Sequence, residues 1–163
     1  MSELDKEILD GFSEESNALL TELEKIVDRI ADSKEEFPKQ DLAEFAQKID
    51  RIMGAAKTLA EMEPDHVGLK NIARLCEMCK TLGYKSAGQN KFKLLPILSS
   101  FFADVIEVVQ ELIENLENVE KTQAISKSFS AVLKSRLEWL TGYFKDKDMT
   151  PEQMRELMKQ FGL

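Results

Sequence analysis

The only histidine and the only two cysteines of the chain are the first residues to consider for chemistry. Cys76 and Cys79 are separated by two residues, as in redox pairs and zinc sites, but a structural zinc ion needs four ligands. Both cysteines fall within one predicted helix, and only Asp65 and His66 could add ligands from nearby. We therefore predict no metal site and no cofactor, and expect both thiols to pack in the core. His66 precedes Gly68 in a predicted loop, where we expect its side chain to be exposed to solvent.

A second candidate is a helical segment that mixes charged and small residues, Asp50-Arg51-Ile52-Met53-Gly54-Ala55-Ala56-Lys57-Thr58-Leu59. Gly54 lies in the middle of the predicted helix, where glycine costs about 1 kcal/mol relative to alanine. Such a glycine indicates either tight packing against a neighbouring helix or a surface that another molecule approaches closely. Helical spacing places Asp50, Gly54 and Lys57 on one exposed stripe, beside a buried stripe that begins at Ile49. The sequence leaves both interpretations of Gly54 open.

The order and spacing of these residues resemble the histidine phosphotransfer (HPt) domains, especially those at the N-terminus of chemotaxis histidine kinases. Members of that family carry His-x-x-Lys-Gly on the second helix, followed by small residues, and glycine begins their third helix. Here Asp50-Arg51-Ile52-Met53-Gly54 lies in that register, and Gly68-Leu69 follows it. Residues 8–24 are similar to the family's first helix. The resemblance covers about residues 3–120 and implies an antiparallel up-down four-helix bundle, here with a fifth helix and a short C-terminal helix.

Two departures from the family motif affect the expected activity. Asp50 stands where the family has its phosphoaccepting histidine, and Met53 stands where it has lysine, whereas Gly54 is retained. In the resemblance, the imidazole is the nucleophile that takes the phosphoryl group from an aspartyl phosphate. A lone carboxylate without a metal or a basic cluster would stabilise that transfer poorly. We therefore predict no catalytic residue and no phosphoryl relay.

The function that the resemblance still implies is binding. HPt domains dock the receiver domains of response regulators through the surface around the motif helix. We predict a non-enzymatic pseudo-HPt protein of a two-component or chemotaxis-type pathway, which binds a receiver domain or a histidine kinase. The predicted partner-binding residues all come from the motif segment: Asp50, Arg51, Met53, Gly54 and Lys57.

Two other classes of function remain open. A response-regulator phosphatase would use carboxylate and amide groups of the fourth helix to orient water, and this helix offers Asp104, Glu107, Gln110, Glu111 and Asn115. A scaffold or dimerising adaptor would use the wide apolar face of the same helix, or the Met- and Phe-containing tail. A homodimer is therefore among the partners to test.

The elements that position these residues follow from composition and apolar spacing. The 163 residues are 43% hydrophobic and 32% charged with only seven glycines and four prolines, which is typical of an all-α protein. Apolar residues recur at steps of three and four along most of the chain. Ser2 is predicted to cap the first helix, Gly83 to end the third, and Thr150 to begin a short C-terminal helix. The five longer predicted helices cover about residues 3–32, 42–63, 69–82, 95–119 and 122–145.

The net charge and the lengths of the apolar segments limit which partners and which cellular location we expect. The formal net charge is −8, and no basic cluster stands out for a phosphate backbone, so we predict no nucleic-acid partner. The N-terminus is acidic and polar, unlike a secretory signal, and no apolar stretch reaches the length that spans a bilayer. We expect a cytoplasmic protein without membrane contact, with an HPt-like bundle over residues 1–145 and a helical tail over residues 146–163.

Overall fold

The computed structural model describes residues 5–144 and residue 152. In that part of the chain every regular element is helical, so the all-α prediction is confirmed. A short 3-10 turn, Phe92–Leu94, precedes the fourth helix. The helices are α1 (Lys6–Asp32), α2 (Lys39–Met62), α3 (Val67–Ala87), α4 (Leu95–Glu114) and α5 (Val119–Phe144).

One apolar core holds the first four helices together. α1 packs against α2 and α4, and α3 packs against α2 and α4, so each of these helices has two neighbours among the other three. The apolar stripes seen in the sequence face inward, since burying them removes the largest apolar area from water. At the centre, the rings of Phe45 and Phe102 stack with their centroids 4.1 Å apart. α5 lies outside this set, against α3 and α4.

Two helix ends differ from the sequence prediction. α1 begins at Lys6 rather than near residue 3, and its N-cap is Asp5, not Ser2, because the Asp5 carboxylate accepts a hydrogen bond of 2.9 Å from the Ile8 amide. α3 does not end at Gly83 but continues to Ala87. Gly83 is buried inside the helix, where its lack of a side chain admits α2.

The boundary between α4 and α5 also differs from the prediction. Apolar spacing extends the fourth helix to Val119, whereas α4 ends at Glu114 and Val119 is the first residue of α5. The connection between the two helices, residues 115–118, is called the hinge below. Leu116 in the hinge is buried, and Val119 is half exposed.

Several expectations concern residues outside the described part. The domain boundary at residue 145 and the tail over residues 146–163, including the helix predicted from Thr150, lie there, with Glu152 as the one described residue. Within residues 5–144, no helix is both long enough and apolar enough to cross a lipid bilayer.

Candidate functional site

The face of α2 that carries the motif segment is fixed by what the opposite face buries. Ile49, Ile52 and Ala56 are fully buried in the core. Because an α-helix turns once every 3.6 residues, Gly54 and Lys57 are then directed outward, and both are exposed. We call the exposed face of α2 from residue 50 to residue 57 the motif face.

Gly54 makes no packing contact on the motif face. A Cβ atom built there would meet no heavy atom within 4 Å. At Gly83, in contrast, a Cβ atom would lie 3.2 Å from the Ala46 Cβ and 3.3 Å from the Leu42 carbonyl oxygen. The tight-packing interpretation is therefore wrong for Gly54 and correct for Gly83. Gly54 leaves an open position on the surface, which a side chain would otherwise fill.

Asp50 is paired with a lysine that the sequence did not indicate. Its carboxylate lies 2.9 Å from the Lys80 Nζ on α3, with the two side chains 43% and 34% exposed. The hydrogen bond from Lys80 to Asp50 raises the pKa of Lys80; partial loss of hydration opposes this rise, and the negative charge of the carboxylate adds to it. The expectation of a lone carboxylate is wrong. Lys80 could have been found only from the register of α2 against α3, which the Gly83 contacts with Ala46 set.

Arg51 turns to the other side of α2. Its guanidinium lies 3.6 Å from the carboxylate of Glu15 on α1, and both side chains are more than half exposed. Asp50 and Arg51 thus mark the two edges of the motif face, one toward α3 and one toward α1. Exposed pairs of this kind contribute about 0–1 kcal/mol each, so they orient side chains more than they stabilise the fold.

The remaining predicted residues differ in exposure. Lys57 is exposed on the motif face, one turn from Gly54. Met53 is half-buried and packs against the core, so it supports the face from beneath. The structure therefore brings all five predicted residues onto two turns of α2, with Gly54 and Lys57 as the open centre.

Gly11 on α1 is a second open position, which apolar spacing did not indicate. It is exposed, and a Cβ atom built there would also meet no heavy atom within 4 Å. Two ion pairs between α1 and α2, Glu22 with Lys48 at 3.0 Å and Glu15 with Arg51, set an antiparallel register in which Gly11 lies near the level of Gly54. The signal available in the sequence was a glycine inside a predicted helix, because glycine there lowers helix stability on α1 as much as on α2.

His66 lies in the loop between α2 and α3, as the sequence predicts, but it is not exposed. It is half-buried and is the N-cap of α3, where its Nδ1 accepts a hydrogen bond of 3.2 Å from the Leu69 amide. Its Nε2 lies 2.8 Å from the Leu116 carbonyl oxygen in the hinge. Because Nδ1 accepts, the ring proton lies on Nε2, which donates to that carbonyl. His66 therefore connects the start of α3 with the hinge, whereas Asp50 contacts the C-terminal half of α3.

The cysteines lie where the sequence predicts. Cys76 and Cys79 are free thiols buried in α3, and burial raises the pKa of both well above the usual range. A neutral buried thiol is a poor nucleophile and a poor metal ligand. Among residues 5–144 and 152, no three His, Cys, Asp or Glu side chains come together as a metal site requires.

The candidate phosphatase residues of α4 face in different directions. Gln110 donates a hydrogen bond of 2.7 Å to Glu24 on α1. Asp104 forms an ion pair with Arg136 on α5. Asn115 donates to the Glu111 carbonyl oxygen at 2.7 Å. These groups therefore do not form one site, although Glu107 and Gln110 share a groove between α1 and α4.

No family model, no curated protein and no solved structure matches the chain.

Proposed function

We propose that the protein is an HPt-like binding protein that docks a receiver domain of a response regulator, or a histidine kinase, through the motif face without relaying phosphate. The proposal takes α1 to α4 as a four-helix bundle of the HPt type, with α5 as the added fifth helix. The packing of each of these four helices against two of the others supports that arrangement.

The observation that carries the proposal is the open position at Gly54. A mid-helix glycine on an exposed face costs about 1 kcal/mol and gains no packing here. A partner that approaches the backbone closely gives this glycine a role, because any side chain would keep that partner at a distance. Gly11, with the same open surroundings, extends the approachable surface from α2 onto α1.

Two features favour binding without phosphoryl transfer. Position 50 carries a carboxylate, and its charge is largely balanced by Lys80 at 2.9 Å rather than being free to act on a substrate. Position 53 carries a half-buried methionine, so no cation stands beside Gly54 on that side. A phosphoryl group in transfer needs positive charge held around it, whereas the cations at this face are the exposed Arg51 and Lys57 and the Lys80 already paired with Asp50.

The test compares two tryptophan variants that differ only in position. Gly54→Trp places a bulky side chain on the motif face, and its Cβ meets no atom within 4 Å, so the fold tolerates it. Gln123→Trp places the same side chain on an exposed position of α5 and serves as the control. Circular dichroism first checks that both are folded, and each then serves as bait in a native lysate beside the wild type.

One specific result would support docking through the motif face. The wild type and Gln123→Trp capture a receiver-domain protein or a histidine kinase, identified by mass spectrometry, and Gly54→Trp does not. Titration of the purified partner should then show affinity weakened more than about tenfold by Gly54→Trp alone. Equal capture by both variants, or capture of no signalling protein by the wild type, rejects the motif face as the docking site.

A response-regulator phosphatase remains a second candidate because of the groove between α1 and α4. There the Gln110 amide lies beside the Glu24 carboxylate, a pairing able to hold a water molecule. The expected sign of this activity is faster loss of phosphate from a phosphorylated receiver. Unchanged dephosphorylation in Gln110→Ala, or none with the wild type, rejects it.

A further inference from the structure

The apolar spacing of α4 continues through the hinge into α5, whereas the structure has a break there. Apolar residues continue at helical steps through this region, at Val109, Leu112, Leu116 and Val119. The hinge itself, residues 115–118, contains no glycine or proline. Its two asparagines, Asn115 and Asn118, favour a helix end less strongly than glycine or proline would. Local sequence therefore permits one continuous helix from α4 through α5.

Contacts within and outside the hinge hold the break in place. The Leu116 carbonyl oxygen accepts a hydrogen bond of 2.8 Å from His66, which lies outside α4 and α5. The Asn118 side chain accepts a hydrogen bond of 3.1 Å from the Lys121 amide and caps α5. The break is thus maintained by a small number of polar contacts that a continuous helix would replace with backbone hydrogen bonds.

The described side chains of α5, at residues 119–136 and 138, contact the rest of the protein through a narrow face. Among its side chains in the described part, Thr122 and Leu133 are buried, and most others are exposed. Its polar links include Ser126, which accepts a hydrogen bond of 2.7 Å from Asn71 on α3, and Arg136, which pairs with Asp104 and donates to Ser100 on α4. A cavity of about 60 Å³ lies beneath it, between α3, α4 and α5. Segments with few buried side chains, such as the start of α5 at residues 119–124, open at low free-energy cost.

We propose that the hinge straightens, joins α4 and α5 into one helix, and lets two copies of the chain exchange α5. A straight α5 of 26 residues extends about 39 Å beyond α4, so it cannot reach the face of α3 and α4 that it leaves. That face is shaped for α5, and a second copy carries the identical helix. The exchange is reciprocal, as two-fold symmetry requires, and each copy recovers the contacts of the closed form.

Three variants of the full chain at the hinge test the exchange. Val119→Pro puts proline at the first position of α5, which suits the broken form, but it breaks a continuous helix. Val119→Ala removes the same half-exposed side chain and leaves the continuous helix possible, so it is the matched control. Asn118→Ala removes the α5 cap and supplies a good helix former.

Each protein is incubated at high concentration just below its unfolding midpoint, cooled, and analysed by size exclusion with light scattering. We expect dimer from the wild type and from Val119→Ala. Asn118→Ala should raise the association constant about 30-fold, since each of the two chains loses one cap. Val119→Pro should lower it more than about 1000-fold, because both chains would carry proline inside a helix.

Two results would overturn the exchange. Equal dimer from Val119→Pro and Val119→Ala would show association through a surface that does not involve the hinge. Absence of dimer from Asn118→Ala would show that the hinge does not straighten. Circular dichroism and a thermal scan establish that Val119→Pro remains folded, as proline at a first helical position predicts.

Discussion

Replacing glycine by alanine separates the two roles that mid-helix glycines have in this protein. Gly54→Ala adds a methyl group that meets no atom within 4 Å, so the helix gains propensity without a steric cost. Gly83→Ala adds the same group 3.2 Å from Ala46 and 3.3 Å from the Leu42 carbonyl oxygen. Such distances are tighter than ordinary van der Waals contact, and the Leu42 oxygen belongs to backbone that cannot turn away.

The expected magnitudes follow from the same geometry. Gly54→Ala should raise the free energy of unfolding by about 1 kcal/mol, the propensity difference between the two residues. For a chain of this length, 1 kcal/mol corresponds to an increase in Tm of about 2–4 °C. Gly83→Ala should lower the free energy of unfolding by up to about 2 kcal/mol, because overpacking of about 1–3 kcal/mol at a buried helix contact outweighs the propensity gain of about 1 kcal/mol.

The assay is urea denaturation followed by circular dichroism, with the slope m compared among variants so that a change in midpoint reports stability. Gly11→Ala is the matched control for Gly54→Ala, because its surroundings are equally open. The reasoning is refuted if Gly54→Ala destabilises the protein, or if Gly83→Ala stabilises it as much as Gly54→Ala does. The first result would mean that the backbone at Gly54 requires glycine in the free protein and not for a partner.

Three further predictions concern buried and paired side chains. Cys76 and Cys79 should react with a thiol reagent at pH 8 only after unfolding, since burial raises the pKa of both; fast reaction of the native protein would contradict this. Asp50→Asn should cost less than about 1 kcal/mol at pH 7, as the pair is exposed. The raised pKa of Lys80 stabilises the fold only while the lysine is charged. The difference in free energy of unfolding between Asp50→Asn and the wild type should therefore vanish at a pH above the pKa of Lys80. A difference that stays constant with pH would exclude the ion pair as its cause. His66→Ala should lower the free energy of unfolding by about 2 kcal/mol through loss of the cap and of the hinge bond, and His66→Asn should recover part of it; equal losses would show that the cap is unimportant.

Helix content was predictable from the sequence because burial of an apolar stripe leaves a regular pattern. The pattern located α1 to α4 and the interior position of both cysteines. It placed the break between α4 and α5 at residues 120–121 instead of 115–118, since apolar residues at Leu116 and Val119 continue the period. His66, which lies 50 residues away in sequence, bonds to the Leu116 carbonyl at the observed break. A local pattern contains no information on such a contact.

The glycines show the same limit for the candidate site. Gly54 and Gly83 both lie inside helices, and sequence spacing could assign neither of them a neighbour. Gly83 was expected to end α3, as glycine often does, but it receives α2 at Ala46. The partner of Asp50 was missed for the same reason, because Lys80 comes into range only through that α2 and α3 register. The residues of the motif face were predictable, whereas their cross-helix partners were not.

The two proposals place binding and exchange on different parts of the molecule. The motif face belongs to α2 with α1 beside it, and α5 packs on α3 and α4. Exchange of α5 therefore leaves Gly54 and its surroundings unchanged, and it joins two motif faces in one particle. A dimer of this kind would bind a clustered partner with higher avidity than the monomer. Val119→Pro should then abolish the avidity and keep the affinity for a single receiver domain, whereas Gly54→Trp should abolish both and leave the dimer intact.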